Sequence, residues 1–579
     1  MAVAAIEQTF SYSHIVHDDT RQHVFWMQRF IDPGLFPNDL IADYHQSAVP
    51  SGFKAFYRFM AEVGIDPLWL NRFIPILLGL VTTGYCFGIC SEILPVPSAG
   101  FIATVFLNQN LWGHSDLISG TPRAFLYPFF AAFLYYLLRR SLVPLIGSII
   151  LLGLFYPPPL LLVAGMSVIR LWDWRNWRFS RDRRDYWIAV VGIITVAAIL
   201  LPYILASSDF GPTLTLAEAK ELPELGAQGR KEFFSAQPRR FWLWSGRSGF
   251  FPREWKRLPH QYFLFIFIVG LFLPLLGRFS SRFPLVKKIN PRAVTLLPEL
   301  IAVSTFWYLA AHALLFKLYL PSRFTEHSFR IVGPIAASIT LIVVLEAILN
   351  FCKEKSHISY KQRQLISVGA TGILLVLFIS SPVLVETSSR TRLQLNNYKV
   401  GNAKPLYRFL RKQPKDILIA SLAAEANNIP THARRSVLIA SEYSNPYQMG
   451  YYRQFRERMD NLIRAQYSQD IEDVKDFIQK YGIDFWMLNR DAFTGEYFLK
   501  NSLLKQFLQQ EFKEDPLVRF VTQTRLEMES GNRPILAEFV QKCAVFEMER
   551  LVLLEAECIA NSSPASAGGS DRESGQAQN

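Results

Sequence analysis

The segment His17–Phe30 contains the densest group of residues whose types and spacing could do chemistry. Two adjacent acids, Asp18 and Asp19, stand between His17 and a nearby basic residue, Arg21. A carboxylate beside a guanidinium can act as a general base next to an anion clamp. Paired carboxylates can also hold a hard divalent cation such as Mg²⁺ or Mn²⁺ through their oxygens. We predict a catalytic or metal-binding role for the two acids, and a substrate-binding role for His17 and Arg21.

A simpler interpretation of the same segment remains open. Asp18 or Asp19 is well placed to cap the helix that follows, where a carboxylate interacts favourably with the helix dipole. His23 and Arg29 would then contact lipid head groups. A cap needs only one of these residues, so we favour the functional interpretation. A second acidic group, which comprises Asp32, Asp39 and Asp43, is explained as well by turn formation as by catalysis.

Two later connections between apolar segments add basic residues. The connection 318–330 contains Arg323, His327 and Arg330. They are either interfacial anchors or, if they surround a groove, the ligands of a lipid-linked phosphate, for which arginine geometry is suited. The connection 112–123 adds further candidate substrate-binding residues, which are His114 and Arg123, and an acid, Asp116.

The elements that must position these residues are apolar helices. Half of the residues are apolar and only 19% are charged, and long apolar runs occur between Phe73 and Val385. A helix of roughly 20 residues crosses the hydrocarbon core of a membrane. We therefore predict an α-helical multi-pass membrane bundle with about ten spans, some of them short. The predicted spans are 72–92, 97–112, 121–139, 141–154, 157–171, 187–206, 262–278, 295–318, 331–351 and 364–385.

The positive charge is concentrated in short loops between predicted spans. The formal net charge is +13, and basic residues collect at 139–140, 170–184, 278–292 and 353–363. If every predicted span crosses the membrane, all four groups emerge on one face. Short basic loops belong on the cytoplasmic side. The charge is therefore a topology signal, and we predict no binding of nucleic acid.

This topology places residues 1–71, the loop 207–261 and everything after Glu386 on the non-cytoplasmic face. We accordingly predict an outward N-terminal loop with the acidic motif at 1–71 and a transmembrane domain at 72–385. Nothing before His17 resembles a signal peptide or a first span. Our hypothesis is that one N-terminal helix precedes this sequence, which makes eleven spans in the native protein. The helix Gly52–Val63 is amphipathic and is expected to lie in the membrane interface.

Residues 386–560 have the composition of a soluble domain. Asp416–Leu422, Ser436–Ser441 and Ile483–Leu488 are predicted to be buried strands. Lys404–Lys412, Gln448–Gln466, Ile471–Tyr481 and Tyr497–Phe512 are predicted to be amphipathic helices. The alternation indicates a soluble, non-cytoplasmic α/β domain. Cys543 and Cys558 could pair in an oxidising compartment. The tail 561–579 is predicted to be disordered.

The pattern resembles the integral-membrane glycosyltransferases of the GT-C superfamily, which take sugars from polyprenyl-phosphate carriers. The similar features are the acidic pair Asp18-Asp19 in the first outward loop, the interfacial helix Gly52–Val63, many spans of uneven length and a C-terminal outward domain. The sequence also resembles a cyanobacterial-type group of bacterial membrane proteins with the run His-Asp-Asp-x-Arg-Gln-His-x-Phe-Trp-Met-Gln-Arg-Phe, here His17–Phe30. That second resemblance implies no activity.

The GT-C resemblance implies an enzyme of the bacterial plasma membrane. Asp18 or Asp19 would accept the proton of an acceptor hydroxyl while the sugar leaves its lipid phosphate with inversion. Arg323 and Arg330 would hold that phosphate, with His327 beside them. Some members of the superfamily bind a divalent cation at the acidic motif and others need none. The acceptor is not implied.

A different class of function remains open, which is a non-catalytic transporter or assembly protein of the envelope with a partner-binding soluble domain. A transporter that moves charge is expected to hold polar residues at mid-membrane. Here the polar residues gather at the outer ends of the spans. This distribution favours the enzyme.

Overall fold

The computed structural model describes residues 7, 9–10, 12–112, 115–174, 176–205, 209–257, 260–354, 360–379 and 398–562. The N-terminal segment forms a short strand, β1 (Ile15–His17), a helical turn, Thr20–His23, and two longer helices, α1 (Leu40–Ala48) and α2 (Ser51–Glu62). The side chain of Asp39 accepts hydrogen bonds from the backbone of Ile41 and Ala42, and so begins α1. The hypothesis of a further helix before this segment stays a prediction.

The body of the molecule is helical, and each predicted span overlaps a helix. The first long helix begins where Asp66 accepts backbone hydrogen bonds from Leu68 and Trp69 and Pro67 occupies the first helical position. The helices are α3 (Pro67–Ile93), α4 (Pro97–Trp112), α5 (Leu126–Arg139), α6 (Leu142–Phe155), α7 (Leu160–Ile169), α8 (Arg183–Leu205), α9 (Gln261–Leu271), α10 (Leu273–Arg278), α11 (Leu296–Ala313), α12 (Ser322–Glu354) and α13 (Tyr360–Ile379).

Five stretches are long and apolar enough to cross a membrane by length and composition. They are Pro67–Ile93, Arg183–Leu205, Gln261–Arg278, Pro291–Ala313 and Ser322–Phe351. Others, such as α6 and α7, are apolar but shorter. The chain is therefore an integral membrane protein, whereas the count of about ten spans stays a prediction. Residues 380–385 of the last predicted span lie outside the described residues.

One end of the helical body brings together three of the predicted basic connections. Arg140 contacts Asp182 at 2.6 Å and Asp185 at 2.7 Å. Asp185 also pairs with Arg292, and Arg170 pairs with Glu299 at 3.0 Å. A two-stranded hairpin, β2 (Trp172–Asp173) with β3 (Arg178–Phe179), lies between α7 and α8 at this basic end. Which side of the membrane this end faces stays a prediction.

The C-terminal part is an α/β domain, as its sequence predicts. After β4 (Tyr398–Val400) and α14 (Lys404–Lys412), a five-stranded sheet has the order β6-β5-β7-β9-β8. Strand β5 pairs in parallel with β6 and with β7, whereas β9 pairs antiparallel with β7 and with β8. The elements are β5 (Leu418–Ser421), β6 (Ser436–Val437), α15 (Met449–Gln466), α16 (Ile471–Tyr481), β7 (Phe485–Asn489), α17 (Pro516–Glu529), β8 (Ala544–Glu547) and β9 (Leu551–Glu555).

Two details of this domain differ from the sequence-based expectation or add to it. The predicted helix 497–512 is broken into short pieces, because Asn501 ends one helix and its side chain caps the next by accepting hydrogen bonds from Leu503 and Leu504. The sequence pattern also did not reveal β8 and β9. The pairing of Cys543 with Cys558 is confirmed, with Cα atoms 5.6 Å apart. Residues 563–579 of the predicted tail lie outside the described residues.

The domain is attached to the N-terminal segment and to the loop after α8. Strand β1 pairs antiparallel with β4, so that Ile15 lies opposite Val400. In the loop 209–257, Thr213 bridges to Gln448. Since α8 contains 23 residues, it spans about 35 Å, and these attachments lie at the end of the helical body away from the basic hairpin. The acidic motif, the loop and the domain therefore share one end of the molecule.

Candidate functional site

The acidic pair lies where the N-terminal segment meets both the helices and the C-terminal domain. Asp19 directly precedes the short helix Thr20–His23, but its side chain makes no capping hydrogen bond. Instead, the backbone N–H of Asp19 donates to Nδ1 of His17 at 3.2 Å. The capping interpretation of the pair is therefore wrong, and both carboxylates are directed to other partners.

Asp18 faces the C-terminal domain. Its carboxylate pairs with Arg21, and the same guanidinium contacts Glu442 and the side chain of Asn428, each at 2.9 Å. Burial and the negative charge of Glu442 raise the pKa of Asp18, against the opposing charge of Arg21.

Asp19 faces the helical body. Its carboxylate lies 3.7 Å from a guanidinium nitrogen of Arg123. Burial opposes ionisation of Asp19, but the positive charge of Arg123 lowers its pKa to about 2. Burial lowers the pKa of His23 to about 4. At neutral pH the site therefore contains an ionised carboxylate next to a neutral imidazole.

A buried polar chain continues from Arg123 into the helices. Arg123 donates to Asp116 at 2.9 Å, and the hydroxyl of Tyr127 donates to the same carboxylate at 2.9 Å. Nδ1 of His327 lies 3.0 Å from that hydroxyl. The structure thus connects Asp19 to His327 through residues of three separate chain segments, as a shared site requires. His114 lies outside the described residues.

The two predicted phosphate ligands on α12 are engaged by carboxylates. Arg323 contacts Glu326 at 2.7 Å. Arg330 is fully buried and contacts Glu326 and the side chain of Asn110 at 2.9 Å each, as well as Glu254. A guanidinium with two carboxylate partners has little charge left to offer a phosphate. The phosphate-binding role of these arginines stays a prediction.

A cavity near the acidic pair was not predicted from the sequence. It encloses about 220 Å³ within the loop 209–257 and is lined by four arginines and one carboxylate, which are Arg230, Arg240, Arg247, Arg253 and Glu232. We call it the arginine pocket. The available signal was the density of arginine in the loop after α8, since the run from Arg230 to Arg257 holds six arginines.

The arginine pocket adjoins the acidic pair through Glu442. Arg230 lines the pocket and pairs with Glu442, which also contacts Arg21. Burial, followed by the charges of Arg230 and Arg247, lowers the pKa of the adjacent Lys231 to about 7, and the negative charges of Glu442 and Asp19 act in the opposite direction. Arg253 forms no ion pair with a residue that the structure describes. The pocket thus has an excess of positive charge suited to an anion.

An apolar groove of about 400 Å³ lies between α9, α10, α11 and α12. Small residues open it: a Cβ on Gly270 would come within 2.8 Å of the Cβ of Ala336. Phe267 lines the groove, and its ring lies 5.8 Å from that of Trp255. Trp255 belongs to the helical turn Arg253–Lys256, which begins with a residue of the arginine pocket. Phe267 is thus the part of the groove nearest the arginine pocket, whereas Pro291 and Thr295, which also line the groove, lie at the basic end.

The donor set around the acidic pair does not fit a divalent cation. Asp18 is engaged by Arg21 and Asp19 by Arg123, so that each carboxylate already has a cationic partner. Within the described residues, no group of three or more His, Cys, Asp or Glu side chains is arranged to hold a metal ion. Metal binding by the pair stays a prediction. The second acidic group has structural partners: Asp32 pairs with Lys415 and Asp43 with Arg29.

The fold, a body of apolar helices with a C-terminal domain at one end, is similar to that of a solved oligosaccharyltransferase. The archaeal oligosaccharyltransferase AglB from Archaeoglobus fulgidus, solved with an inhibitory peptide and a dolichol-phosphate, aligns over 86% of this chain and 69% of its own, with a TM-score of 0.52 and 12% identity. This likeness shows a shared fold.

Two further solved structures align with lower scores. ArnT from Cupriavidus metallidurans, in the apo state, aligns over 97% of this chain and 98% of its own at 14% identity, with a TM-score of 0.44. A. fulgidus oligosaccharyltransferase in complex with Zn and sulfate aligns over 88% and 68% at 11% identity, with a TM-score of 0.45. These scores do not by themselves establish a shared fold. No protein-family model and no curated protein matches the sequence.

Proposed function

We propose that this protein is a membrane glycosyltransferase that moves a sugar from a polyprenyl-phosphate donor to an acceptor hydroxyl on the non-cytoplasmic face. One observation carries the proposal: the ionised carboxylate of Asp19 lies beside Arg123, next to a pocket of four arginines, at one end of an apolar helical body. A lipid-linked phosphate needs both an apolar groove and a cationic pocket. The shared fold with AglB, solved with a dolichol-phosphate, supports this donor class.

In the proposed reaction, the acceptor oxygen bonds to the anomeric carbon of the sugar. The bond between that carbon and the phosphate oxygen breaks, and polyprenyl phosphate leaves with the electron pair. The acceptor proton passes to Asp19. The resemblance to the superfamily implies inversion at the anomeric carbon.

The low pKa of Asp19 describes the chain without substrate. A carboxylate with a pKa of about 2 is a weak base. An anionic phosphate bound in the adjoining arginine pocket would add a negative charge near Asp19, and this charge raises the pKa of Asp19. We propose that donor binding activates the base in this way, so that proton transfer follows assembly of the complex.

The arginine pocket is proposed to hold the donor phosphate, with the polyprenyl chain in the apolar groove. The double variant Arg247→Gln/Arg253→Gln keeps Arg230 and its pairing with Glu442. A hydrogen bond between charged groups contributes about 1.5–3 kcal/mol, so we expect KM for the donor to rise about 10- to 100-fold for each such hydrogen bond that is removed. Initial rates at increasing donor concentration measure this. Arg408→Gln, an exposed change on α14, is the control, and an unchanged KM in the double variant would remove the pocket from the site.

Lys231 makes donor binding depend on pH. Its pKa of about 7 means that it carries a positive charge below pH 7 and is neutral above it. A sugar phosphodiester stays singly negative over this range, so KM is expected to rise about fivefold between pH 6 and pH 8 as one favourable charge is lost. Lys231→Arg, which stays charged, should abolish the rise. The same pH dependence in that variant would assign it to another group.

Activity is expected to persist without added metal. Arg21 and Arg123 already neutralise the two carboxylates that would ligate a cation. We expect turnover in excess EDTA to remain within about twofold of turnover in Mg²⁺ or Mn²⁺, because a bound metal would contribute several kcal/mol to catalysis if it were used. A loss in EDTA that either ion reverses would show that the cation displaces these arginines.

A further inference from the structure

We propose that the hairpin at the basic end, together with the start of α8, is a binding site for anionic phospholipid head groups. In the hairpin, Trp172 pairs with Phe179 and Asp173 with Arg178, and the rings of Trp172 and Phe179 meet edge to face at 5.2 Å. It joins two apolar helices at the end of the body away from the candidate active site. This inference does not rest on the proposed transferase activity.

The hairpin exposes large aromatic side chains. Trp177 is 73% exposed and Trp187, in the first turns of α8, is 64% exposed, and Trp174 and Phe179 are exposed as well. Trp177 has a φ of 50°, a conformation that is unfavourable for a bulky residue. Because the side chain is so exposed, it adds nothing to the packing of the interior, and packing does not explain this conformation. Trp is favoured at the membrane interface, where an apolar ring with one polar group is best solvated.

Four exposed arginines surround these rings, which are Arg178, Arg181, Arg183 and Arg184. None of them forms an ion pair with a residue of the described chain. The nearby acids are already engaged, since Asp182 and Asp185 contact Arg140 and Asp185 also contacts Arg292. The surface therefore carries uncompensated positive charge, and each such residue near a membrane attracts anionic lipid.

A cavity beside the hairpin is the proposed position of the lipid head group. It encloses about 270 Å³ between the hairpin and the start of α11, and its charged lining residues are two arginines, Arg170 and Arg292, and two acids, Asp173 and Glu299. The guanidinium of Arg292 is half exposed even though it contacts Asp185. Glu299 is paired with Arg170, and Asp173 accepts a hydrogen bond from the side-chain amide of Asn176. A phosphate in this cavity would therefore meet the guanidinium of Arg292, while the acyl chains continue along α7 and α8. A bilayer lipid fits this combination, because a soluble anion would leave the aromatic side chains in water.

Quenching of tryptophan fluorescence tests the site. The full chain is reconstituted in nanodiscs of phosphatidylcholine (PC) that contain an equal fraction of either brominated phosphatidylglycerol (PG) or brominated PC. The part of the quenching that is lost in the double variant Trp174→Phe/Trp177→Phe comes from the tryptophans of the hairpin. We expect this part to be at least twofold larger with brominated PG than with brominated PC. Equal quenching by the two lipids would overturn the proposal.

Variants that change the charge test whether these four arginines, rather than the net positive charge of the whole protein, attract PG. Replacement of the four arginines by Gln should abolish the PG excess, and replacement by Lys should keep it, because attraction to a membrane surface depends on charge. Arg181→Gln and Arg184→Gln alone should each lower it in part, which covers the case in which the fourfold Gln variant does not fold. The control replaces Lys404, Arg408, Lys412 and Lys505, exposed at the other end, by Gln, and should keep the excess. An excess that survives in the fourfold hairpin variant, or is lost in the control, contradicts the proposal.

Discussion

Replacement of Asp19 by Asn is expected to lower turnover of polyprenyl-phosphate sugars by about three orders of magnitude, within the usual range for loss of a general base. Asn has nearly the same shape but cannot accept the acceptor proton. The change also removes the negative charge beside Arg123. Donor binding should therefore be kept or strengthened, so kcat is expected to fall while KM does not rise. Initial rates in proteoliposomes across donor concentrations measure both constants.

Two variants act as controls for this result. Asp18→Asn removes the acid that pairs with Arg21 and faces Glu442, and we expect a loss of about tenfold through displacement of Arg21. Asp32→Asn removes an exposed pairing with Lys415 and should leave turnover unchanged. A greater loss in Asp18→Asn than in Asp19→Asn would transfer the role of base to Asp18. Unchanged turnover in the double variant Asp18→Asn/Asp19→Asn would remove the pair from catalysis.

The second large effect is expected from Glu442→Gln, on stability rather than on chemistry. Glu442 is buried and pairs with Arg21 of the N-terminal segment and Arg230 of the loop after α8. Removal of one partner from a buried ion pair typically costs about 3–5 kcal/mol, because the remaining charges stay buried without compensation. The C-terminal domain should then separate more readily from the helical body. Thermal unfolding and proteolysis within residues 209–257 measure this.

The matched control is Glu457→Gln, which breaks an exposed pair with Lys480 in the same domain. Exposed pairs contribute about 0–1 kcal/mol, so this variant should unfold at nearly the same temperature as the wild type. If Glu442→Gln and Glu457→Gln unfold together at the wild-type temperature, Glu442 does not hold the three segments together.

Local patterns predicted the helices and much of the sheet because these depend on nearby residues. Each predicted span overlaps a helix, since a sustained apolar run is visible without any tertiary contact. Strands β5 and β7 were predicted because both are short and buried. Strand β8 gives a weak signal because its residues are half-buried or exposed. Strand β9 contains the short buried apolar run Leu551–Leu554, which was not assigned as a strand.

The candidate site was predicted only where it is local in sequence. Asp18 and Asp19 stand out because of their type and adjacency, but their different environments come from Glu442 and Arg123, which lie far away along the chain. The arginine pocket depends on how the loop 209–257 folds under the C-terminal domain, where Arg247 donates to the hydroxyl of Tyr447 at 3.0 Å. No spacing rule predicts such an interaction.

The most direct test of the proposed function follows the lipid product. The purified chain in liposomes is given a polyprenyl phosphate that carries a radiolabelled hexose or pentose, together with an extract of membrane lipids and glycans as acceptors. We predict that free polyprenyl phosphate forms with time as label leaves the donor, and that the Asp19→Asn protein does not support this. Equal release by the wild type and by Asp19→Asn, or no release with any of the donors, would contradict the proposed function.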